Sequence, residues 1–359
     1  METILTTSSS PHIHNGASVS RMMRDVVISL VPCVVAALVF FDPWWRIAGL
    51  IAVCVGAAML TEYLCRKAMR RENALYDNSA LLTGLLLALI LPPAMPFWQA
   101  AVGSVFAIAI GKQVFGGLGY NILNPALVGR AFMLISFTAA MTTWSGSATF
   151  SETKTSDGKT SVTTATPMAS ESNEISSGAE IVPVTTATPL GITKMYTKTN
   201  RTAGQGIKYD SAMRWRFFIG DLNGSIGETS VLAIMLGFVY LLVRRVITWH
   251  ATAGYAGSVA VFALCLQLFC PRLAMPVDFH LMAGGALFGA VFMATDPVTT
   301  PITAWGRFIF GIGCGVIMMI IRVVPQGSYP EGVTFAILIM NSLTPLINRA
   351  TRYKRFGAV

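Results

Sequence analysis

Long apolar runs, separated by short polar segments, follow one another along most of this chain. Ten of the runs approach or reach the roughly 20 residues that a helix needs to cross a bilayer. The predicted spans are residues 26–42, 45–65, 79–94, 97–115, 122–141, 229–246, 249–269, 279–295, 303–323 and 332–348. The pattern predicts an all-α polytopic membrane protein with about ten transmembrane helices.

A polar stretch divides the ten spans into two groups of five. The predicted order is a cytoplasmic N-terminal segment 1–25, a first five-helix repeat 26–141, a periplasmic loop 142–228, a second repeat 229–348 and a cytoplasmic tail 349–359. Five helices on each side of an external loop place the halves in opposite orientations. We therefore expect inverted repeats, which occur in transport folds with sites at the repeat interface.

Charge supports this topology. Charged residues make up 12% of the chain and hydrophobic residues 53%, whereas soluble domains carry about twice that charge. Fourteen Lys and Arg residues fall in the segments predicted to face the cytoplasm, and three in the short segments opposite. This bias predicts that both termini are cytoplasmic. It also accounts for the net charge of +9 without a nucleic-acid partner.

Ionisable residues at membrane depth are candidates for an ion path because they are costly there. Asp296 follows an apolar run and lies among hydroxyls and prolines, in the sequence ATDPVTTP. Prolines interrupt a helix and free its carbonyl groups, and carbonyls with a carboxylate suit a hard cation. Glu228 is a second candidate for the ion path. The structural alternative for Asp296 is a helix cap or an ion pair with Arg307.

Polar side chains next to broken helices indicate a second kind of site. Asn121 and Asn124 lie in a Gly-rich break, and Arg130 in the fifth span needs an acid, a carbonyl or an anionic ligand as partner. Side-chain amides in such a break fit a planar heterocycle with hydrogen-bonding edges. The six cysteines include no CxxC pair, so we do not expect an iron–sulfur cluster held by this chain alone.

Several motifs in order carry a resemblance to a known family. They are SALLTGLLLALILPP at residues 79–93, GKQVFGG at 111–117, NPALVGRAF at 124–132, GSIGETS at 224–230 and ATDPV at 294–298. The chain resembles the D subunit of the Rnf electron-transport complex, which is related to the B subunit of the sodium-pumping NADH:quinone reductase. The resemblance extends over essentially the whole sequence.

The resemblance implies FMN bound covalently through its phosphate to a periplasmic threonine, with the bond made by a flavin transferase. The motif VTTATPL at 184–190 offers Thr188 as the acceptor, although Thr186 replaces the usual glycine and the usual upstream aspartate is missing. A near copy, VTTATPM at 162–168, makes Thr166 the alternative. The more ordinary interpretation of this Ser/Thr-rich stretch is an unmodified linker.

The resemblance also implies a non-covalent flavin, expected to be riboflavin, which we place near Asn121, Asn124 and Arg130. The implied function is a subunit that relays electrons between ferredoxin and NADH pools, coupled to Na⁺ or H⁺ transport across the bacterial inner membrane. Its expected partners are membrane lipid and the other subunits, including the G subunit and the iron–sulfur subunits. Such a chain is inactive alone.

The alternative function is a channel or secondary transporter without a redox role. Inverted repeats and Gly-broken helices fit it equally well. Flavin attachment in the Thr-rich loop distinguishes the two functions.

Overall fold

The structure is a bundle of helices in two groups along the chain. The computed structural model describes residues 18–72, 75–143, 188–198, 209–271, 273–323 and 332–352. The first group is α1 (Val19–Phe40), α2 (Trp44–Ala68), α3 (Ser79–Leu89), α4 (Phe97–Ile108), α5 (Pro125–Ser136) and α6 (Thr138–Thr142). Next come α7 (Pro189–Lys198), α8 (Ser211–Ile219), α9 (Val231–Val243), α10 (Trp249–Phe269), α11 (Val277–Met282), α12 (Ala286–Phe288), α13 (Ala304–Val323) and α14 (Val333–Ala350).

Within those ranges all regular secondary structure is helical, as predicted. A 3₁₀ turn precedes α3 at Leu75–Asp77, and π-helical turns extend α4 over Ala109–Gln113 and α12 over Gly289–Met293. Five helices, α1, α2, α10, α13 and α14, are long and apolar enough to cross a membrane. The apolar helices α3, α5 and α9 have 11, 12 and 13 residues, fewer than the roughly 20 that a full span needs.

Prolines and glycines explain why several predicted spans are shorter or broken. Helix α3 ends at Leu89 and does not continue to residue 94, because Pro92 and Pro93 cannot extend it. The predicted span 279–295 is interrupted after α11, where Gly284 takes a left-handed conformation with φ 62°. These breaks place irregular backbone inside the bundle, where it needs partners other than lipid.

Other predicted boundaries also change. Helix α1 begins at Val19, within the segment predicted as an N-terminal extension, because Ser18 caps it by accepting a hydrogen bond from the Arg21 amide. The predicted span 122–141 is divided at Phe137 into α5 and α6.

Broken backbone from the two halves meets directly. The amides of Ile226 and Gly227 donate to the carbonyl oxygens of Leu91 and Leu89, at 3.1 and 2.6 Å. A Cβ on Gly227 would lie 2.7 Å from the Cβ of Leu89, so only glycine permits this approach. The junction satisfies carbonyl groups that the end of α3 leaves free.

The two halves also meet along α1 and α9. The Arg244 guanidinium near the end of α9 lies 3.1 Å from the Asp25 carboxylate near the start of α1, so the helices run antiparallel. Gly237 allows close contact, because a Cβ there would lie against the Ser29 carbonyl oxygen.

Parts of the predicted loop pack against the second half. Leu190 of α7, Phe217 of α8 and Leu222 form a buried apolar cluster with Phe279 of α11. Next to this cluster, the Tyr209 hydroxyl donates to Asp278 at 2.9 Å. Burial and the Asp278 carboxylate raise the pKa of Tyr209, so the phenol stays protonated.

Helices α10 and α13 provide a matched test of close packing. A Cβ on Gly254 would lie against the Phe308 carbonyl oxygen, whereas a Cβ on Gly257 meets nothing within 4 Å. We expect Gly254→Ala to destabilise the protein by about 1–3 kcal/mol through overpacking, and Gly257→Ala to be neutral. Thermal unfolding of the purified protein measures both; equal midpoints for the two variants would contradict this packing.

Candidate functional site

One cleft contains three of the residues predicted from sequence. Asn121, Asn124 and Asp296 line it together, although they come from opposite halves of the chain. We call it the asparagine cleft. Its other lining residues include Met22, Met23, Val26, Ser79, Leu82, Thr83, Leu86, Lys112, Pro125, Leu241, Val246, Ile247 and Phe292. Apolar walls with a few polar groups are typical of small-molecule sites.

The two asparagines differ in what they leave available. The Asn124 side-chain oxygen caps α5 by accepting from the Ala126 amide at 3.0 Å. Asn121 donates its side-chain amide to the Leu123 carbonyl at 3.1 Å, but its buried side-chain oxygen has no partner among the described residues. Asn121 can therefore accept a hydrogen bond from a ligand, whereas the oxygen of Asn124 is already used by the helix.

Asp296 lies in the turn that follows the second π-helical segment. One carboxylate oxygen accepts from the Thr299 hydroxyl at 3.0 Å, and the Asp296 carbonyl accepts from the Thr300 hydroxyl at 2.7 Å. Arg307 donates instead to the Pro301 carbonyl and to Thr248, both at 3.0 Å. Of the two structural alternatives weighed from sequence, the geometry is that of a local cap. The carboxylate nevertheless lines the cleft.

A buried ion pair beside the cleft was missed by the sequence analysis. The Lys112 ammonium lies 2.7 Å from a carboxylate oxygen of Glu62, and the two residues are 1% and 0% exposed. Lys112 lies in the π-helical turn that extends α4, and its side chain is buried in the bundle. Glu62 was overlooked because it lies within an apolar run, where sequence shows no partner.

A second cleft contains Thr188 and Glu228. We call it the threonine cleft, and its other lining residues are Pro189, Leu190, Phe217, Leu222, Asn223, Gly224, Ser225, Thr229, Met282 and Gly284. The Thr188 hydroxyl accepts a hydrogen bond from the Gly191 amide at 3.1 Å and so caps α7. The hydroxyl of Ser225 is buried and has no hydrogen-bond partner within the ranges that the structure describes. Thr166, the alternative acceptor, lies outside the described residues.

The two clefts lie at opposite ends of α9. Glu228 and Thr229, before the helix, line the threonine cleft, and Leu241 near its end lines the asparagine cleft. Thirteen helical residues at about 1.5 Å each give roughly 20 Å between the helix ends. The clefts are therefore separated by about the length of this helix.

A buried ion pair at the threonine cleft joins the two halves of the chain. An Arg130 guanidinium nitrogen lies 2.7 Å from a Glu228 carboxylate oxygen, and the side chains are 2% and 3% exposed. Arg130 follows Asn124 by six positions in α5, which corresponds to a rise of about 9 Å. Of the partners considered for Arg130, an acid, a carbonyl or an anionic ligand, the structure provides the acid Glu228, and Arg130 is not among the residues that line the asparagine cleft.

The comparisons with known proteins decide the family. The model of the NQR2, RnfD, RnfE family matches residues 6–357. The chain belongs to this family. Relatives named as D subunits align with it over nearly the full length of both chains. This confirms the resemblance found from the motifs.

Three relatives illustrate the match. The D subunit of the proton-translocating ferredoxin:NAD(+) oxidoreductase complex of Clostridium ljungdahlii is 40% identical over 99% of this chain and 96% of its own. The D subunit of the Na(+)-translocating ferredoxin:NAD(+) oxidoreductase complex of Acetobacterium woodii is 38% identical over 98% and 95%. The D subunit of the ion-translocating oxidoreductase complex of Escherichia fergusonii is 36% identical over 98% and 97%.

The Arg130–Glu228 pair can be tested against an exposed pair. We expect Arg130→Met to lower the free energy of unfolding by about 3–5 kcal/mol, because it removes a buried counter-charge. Arg214→Met breaks a pair with Asp278 whose side chains are 54% and 31% exposed, and should cost about 1 kcal/mol or less.

A double variant separates charge from packing. Combining Arg130→Met with Glu228→Met should recover part of the stability lost in Arg130→Met, because the Glu228 carboxylate is then no longer buried without its counter-charge. The measurement is thermal or denaturant unfolding of all these variants and the parent. Equal losses for Arg130→Met and Arg214→Met would show that the buried pair is not the stronger constraint.

Proposed function

We propose that this chain is the flavin-carrying membrane subunit of an ion-translocating oxidoreductase complex that relays electrons between ferredoxin and NAD, coupled to Na⁺ or H⁺ transport. The observation that carries the proposal is the nearly full-length match to D subunits of ferredoxin:NAD(+) oxidoreductase complexes. One relative is named as proton-translocating and another as Na⁺-translocating, so the names leave the ion open.

We propose Thr188 as the covalent attachment site for FMN. Its hydroxyl is the group that a phosphoester needs, and it lies at the N-terminus of α7, where helix amides favour a phosphate. Thr188 is only 8% exposed, so a flavin transferase must reach it before the segment packs or after local opening. Apolar Leu190 and Phe217 and the free hydroxyl of Ser225 fit the faces and edge of a flavin ring.

We propose the asparagine cleft for the non-covalent flavin. The buried Asn121 oxygen needs a donor, and the hydrogen-bonding edge of a flavin such as riboflavin provides one. Leucine, methionine and phenylalanine side chains of the cleft suit the faces of the ring. Arg130 does not line this cleft, and it lies farther along α5, where it pairs with Glu228. A flavin, when bound, supplies one- and two-electron transfer.

We propose that the ion path includes Asp296 at one end and Glu228 near the middle. Each carboxylate lines a different cleft, and the clefts lie at opposite ends of α9. An ion passing between them must cross the region of the Arg130–Glu228 pair. When electrons arrive at or leave the flavins, the charge near this pair changes, and this change provides a physical means of coupling electron transfer to ion transport.

We further propose that the fold consists of ten membrane segments in two inverted five-segment repeats. Helices α1 to α5 then correspond to α9, α10, the α11–α12 segment with its π turn, α13 and α14. The contacts support this correspondence, because α2 packs on α4 as α10 packs on α13, and α4 on α5 as α13 on α14. The first members, α1 and α9, contact each other, as do the last, α5 and α14.

The topology and partners complete the proposal. The bias of basic residues supports a bacterial inner-membrane protein with cytoplasmic termini and a periplasmic 142–228 loop. The partners proposed are the G subunit, the iron–sulfur subunits, a flavin transferase and membrane lipid. The alternative, a channel or secondary transporter without a redox role, fits the broken helices but not the names of the relatives.

Flavin attachment tests both the acceptor and the alternative function. We expect Thr188→Val to abolish covalent flavin fluorescence of the denatured chain on a gel, because valine has no hydroxyl. Thr166→Val should retain the fluorescence. Thr193→Val, which removes a buried hydroxyl on the same helix α7, is the matched control and should also retain it.

The results separate the two threonines. Loss with Thr166→Val and retention with Thr188→Val would show that the other motif carries the flavin. A parent chain without any flavin-bearing peptide by mass spectrometry would favour the channel or transporter.

Asp296 can be separated from flavin attachment. We expect Asp296→Asn to slow ion-coupled electron transfer in vesicles while leaving flavin on Thr188, because the residues line different clefts. Asp42→Asn, at an exposed carboxylate, is the control and should match the parent. If Asp296→Asn also matches the parent across a range of Na⁺ concentration and pH, Asp296 acts only as a cap.

A further inference from the structure

His280 and Tyr255 are among the buried side chains whose polar atoms have no hydrogen-bond partner in the part of the chain that the structure describes. Both ring nitrogens of His280 and the hydroxyl of Tyr255 are without partners in the structure. His280, on α11, is 5% exposed, and Tyr255, on α10, is fully buried. Neither residue lines the asparagine cleft or the threonine cleft.

Burying these polar groups without hydrogen bonds would lower the stability of the fold. A buried polar group without a hydrogen bond costs about 1–3 kcal/mol on mutational scales, and three such atoms occur here. Buried polar groups in proteins are commonly satisfied by internal water that makes two to four hydrogen bonds. His280 and Tyr255 therefore indicate internal water.

The segment that carries His280 contacts two buried charged residues, Arg322 and Glu228. Arg322 of α13 donates to the carbonyl oxygens of His280 and Ala283, at 2.6 and 2.9 Å. Two residues later, a Cβ on Gly285 would lie against the Glu228 carboxylate. The segment 283–285 therefore links the surroundings of Arg322 to Glu228.

The charged groups around the site restrict its ligand. Tyr255 packs against Gly311 and Gly315 of α13, the helix that carries Arg322, and the Arg322 guanidinium donates to the His280 carbonyl. Asp278, on the same helix as His280, is bound to Tyr209 and Arg214. A resident metal cation next to the Arg322 guanidinium is disfavoured, whereas water carries no net charge and can both donate and accept.

We propose that Tyr255 and His280 line an internal hydrated site through which protons reach or leave Glu228. This proposal rests on the proposed function as an ion-translocating subunit. The Glu228 carboxylate accepts a proton from a neighbouring water, that water is re-protonated by the next group, and one proton enters for each that is passed on. His280 suits this transfer because one neutral ring nitrogen accepts while the other donates. No redox change or additional reactant is involved.

The first test uses the intact complex in vesicles. Tyr255→Phe removes only the hydroxyl, and His280→Met removes both ring nitrogens. We expect both variants to lose proton uptake driven by electron transfer, while covalent flavin on this chain stays at the parent level. Tyr63→Phe, on the exposed side of α2, is the matched control and should keep the parent's uptake.

The outcomes separate this inference from the proposed function. Parent vesicles without any electron-driven ion uptake would contradict the proposed function itself. Parent vesicles that take up protons, with Tyr255→Phe and His280→Met unchanged, would overturn the hydrated site alone. Parent vesicles that move only Na⁺ would overturn it as well.

The second test does not depend on activity or on variants. A density map of the intact complex that resolves water should show water within about 3 Å of a His280 ring nitrogen and of the Tyr255 hydroxyl. A map without water at these atoms, or with a protein side chain hydrogen-bonded to them, would overturn the proposal even if the variants fail to assemble.

Discussion

The ion pair between Arg130 and Glu228 is the constraint on which the arrangement of this molecule depends. Two charges removed from water are costly unless they are held close together with good geometry. Here the charges come from different halves of the chain and lie 2.7 Å apart in the interior. The pair fixes α5 against the segment before α9, and its Glu228 lines the threonine cleft. Its position makes the halves interdependent.

Irregular backbone makes room for the Arg130–Glu228 pair. Continuous helices would fill the middle of the bundle with apolar side chains and leave no place for Glu228. The chain instead stops α3 before two prolines and passes residues 226–227 across its end, with hydrogen bonds to Leu89 and Leu91. Gly285 leaves the space that the Glu228 carboxylate occupies. Backbone of this kind is tolerated at membrane depth only inside protein or along a cavity.

The sequence predicted the class of fold well because apolar runs determine it. It also predicted that Arg130 requires a partner. Three of the candidate site residues, Asn121, Asn124 and Asp296, line one cleft. The sequence could not show which polar atoms the backbone would use. Asn124 is largely a helix cap, whereas the buried oxygen of Asn121 is available, and both look alike in a one-letter pattern.

The misses have a common physical cause. Glu62 and Lys112 are 50 positions apart and stabilise each other only after α2 and α4 pack. Likewise, only the folded structure shows that the side chains of His280 and Tyr255 have no hydrogen-bond partner among the residues described. Helix lengths were overestimated where hydropathy continues past a proline or glycine. Hydropathy measures preference for the membrane, whereas helix ends depend on backbone geometry.

A density map of the intact complex containing this chain tests the central claim most directly. The account predicts flavin density in both clefts, continuous with Thr188 in one and in contact with the Asn121 side chain in the other, with the Arg130–Glu228 pair between them. Flavin density on the same side of that pair in both cases, or an asparagine cleft filled by lipid or protein, would contradict the account.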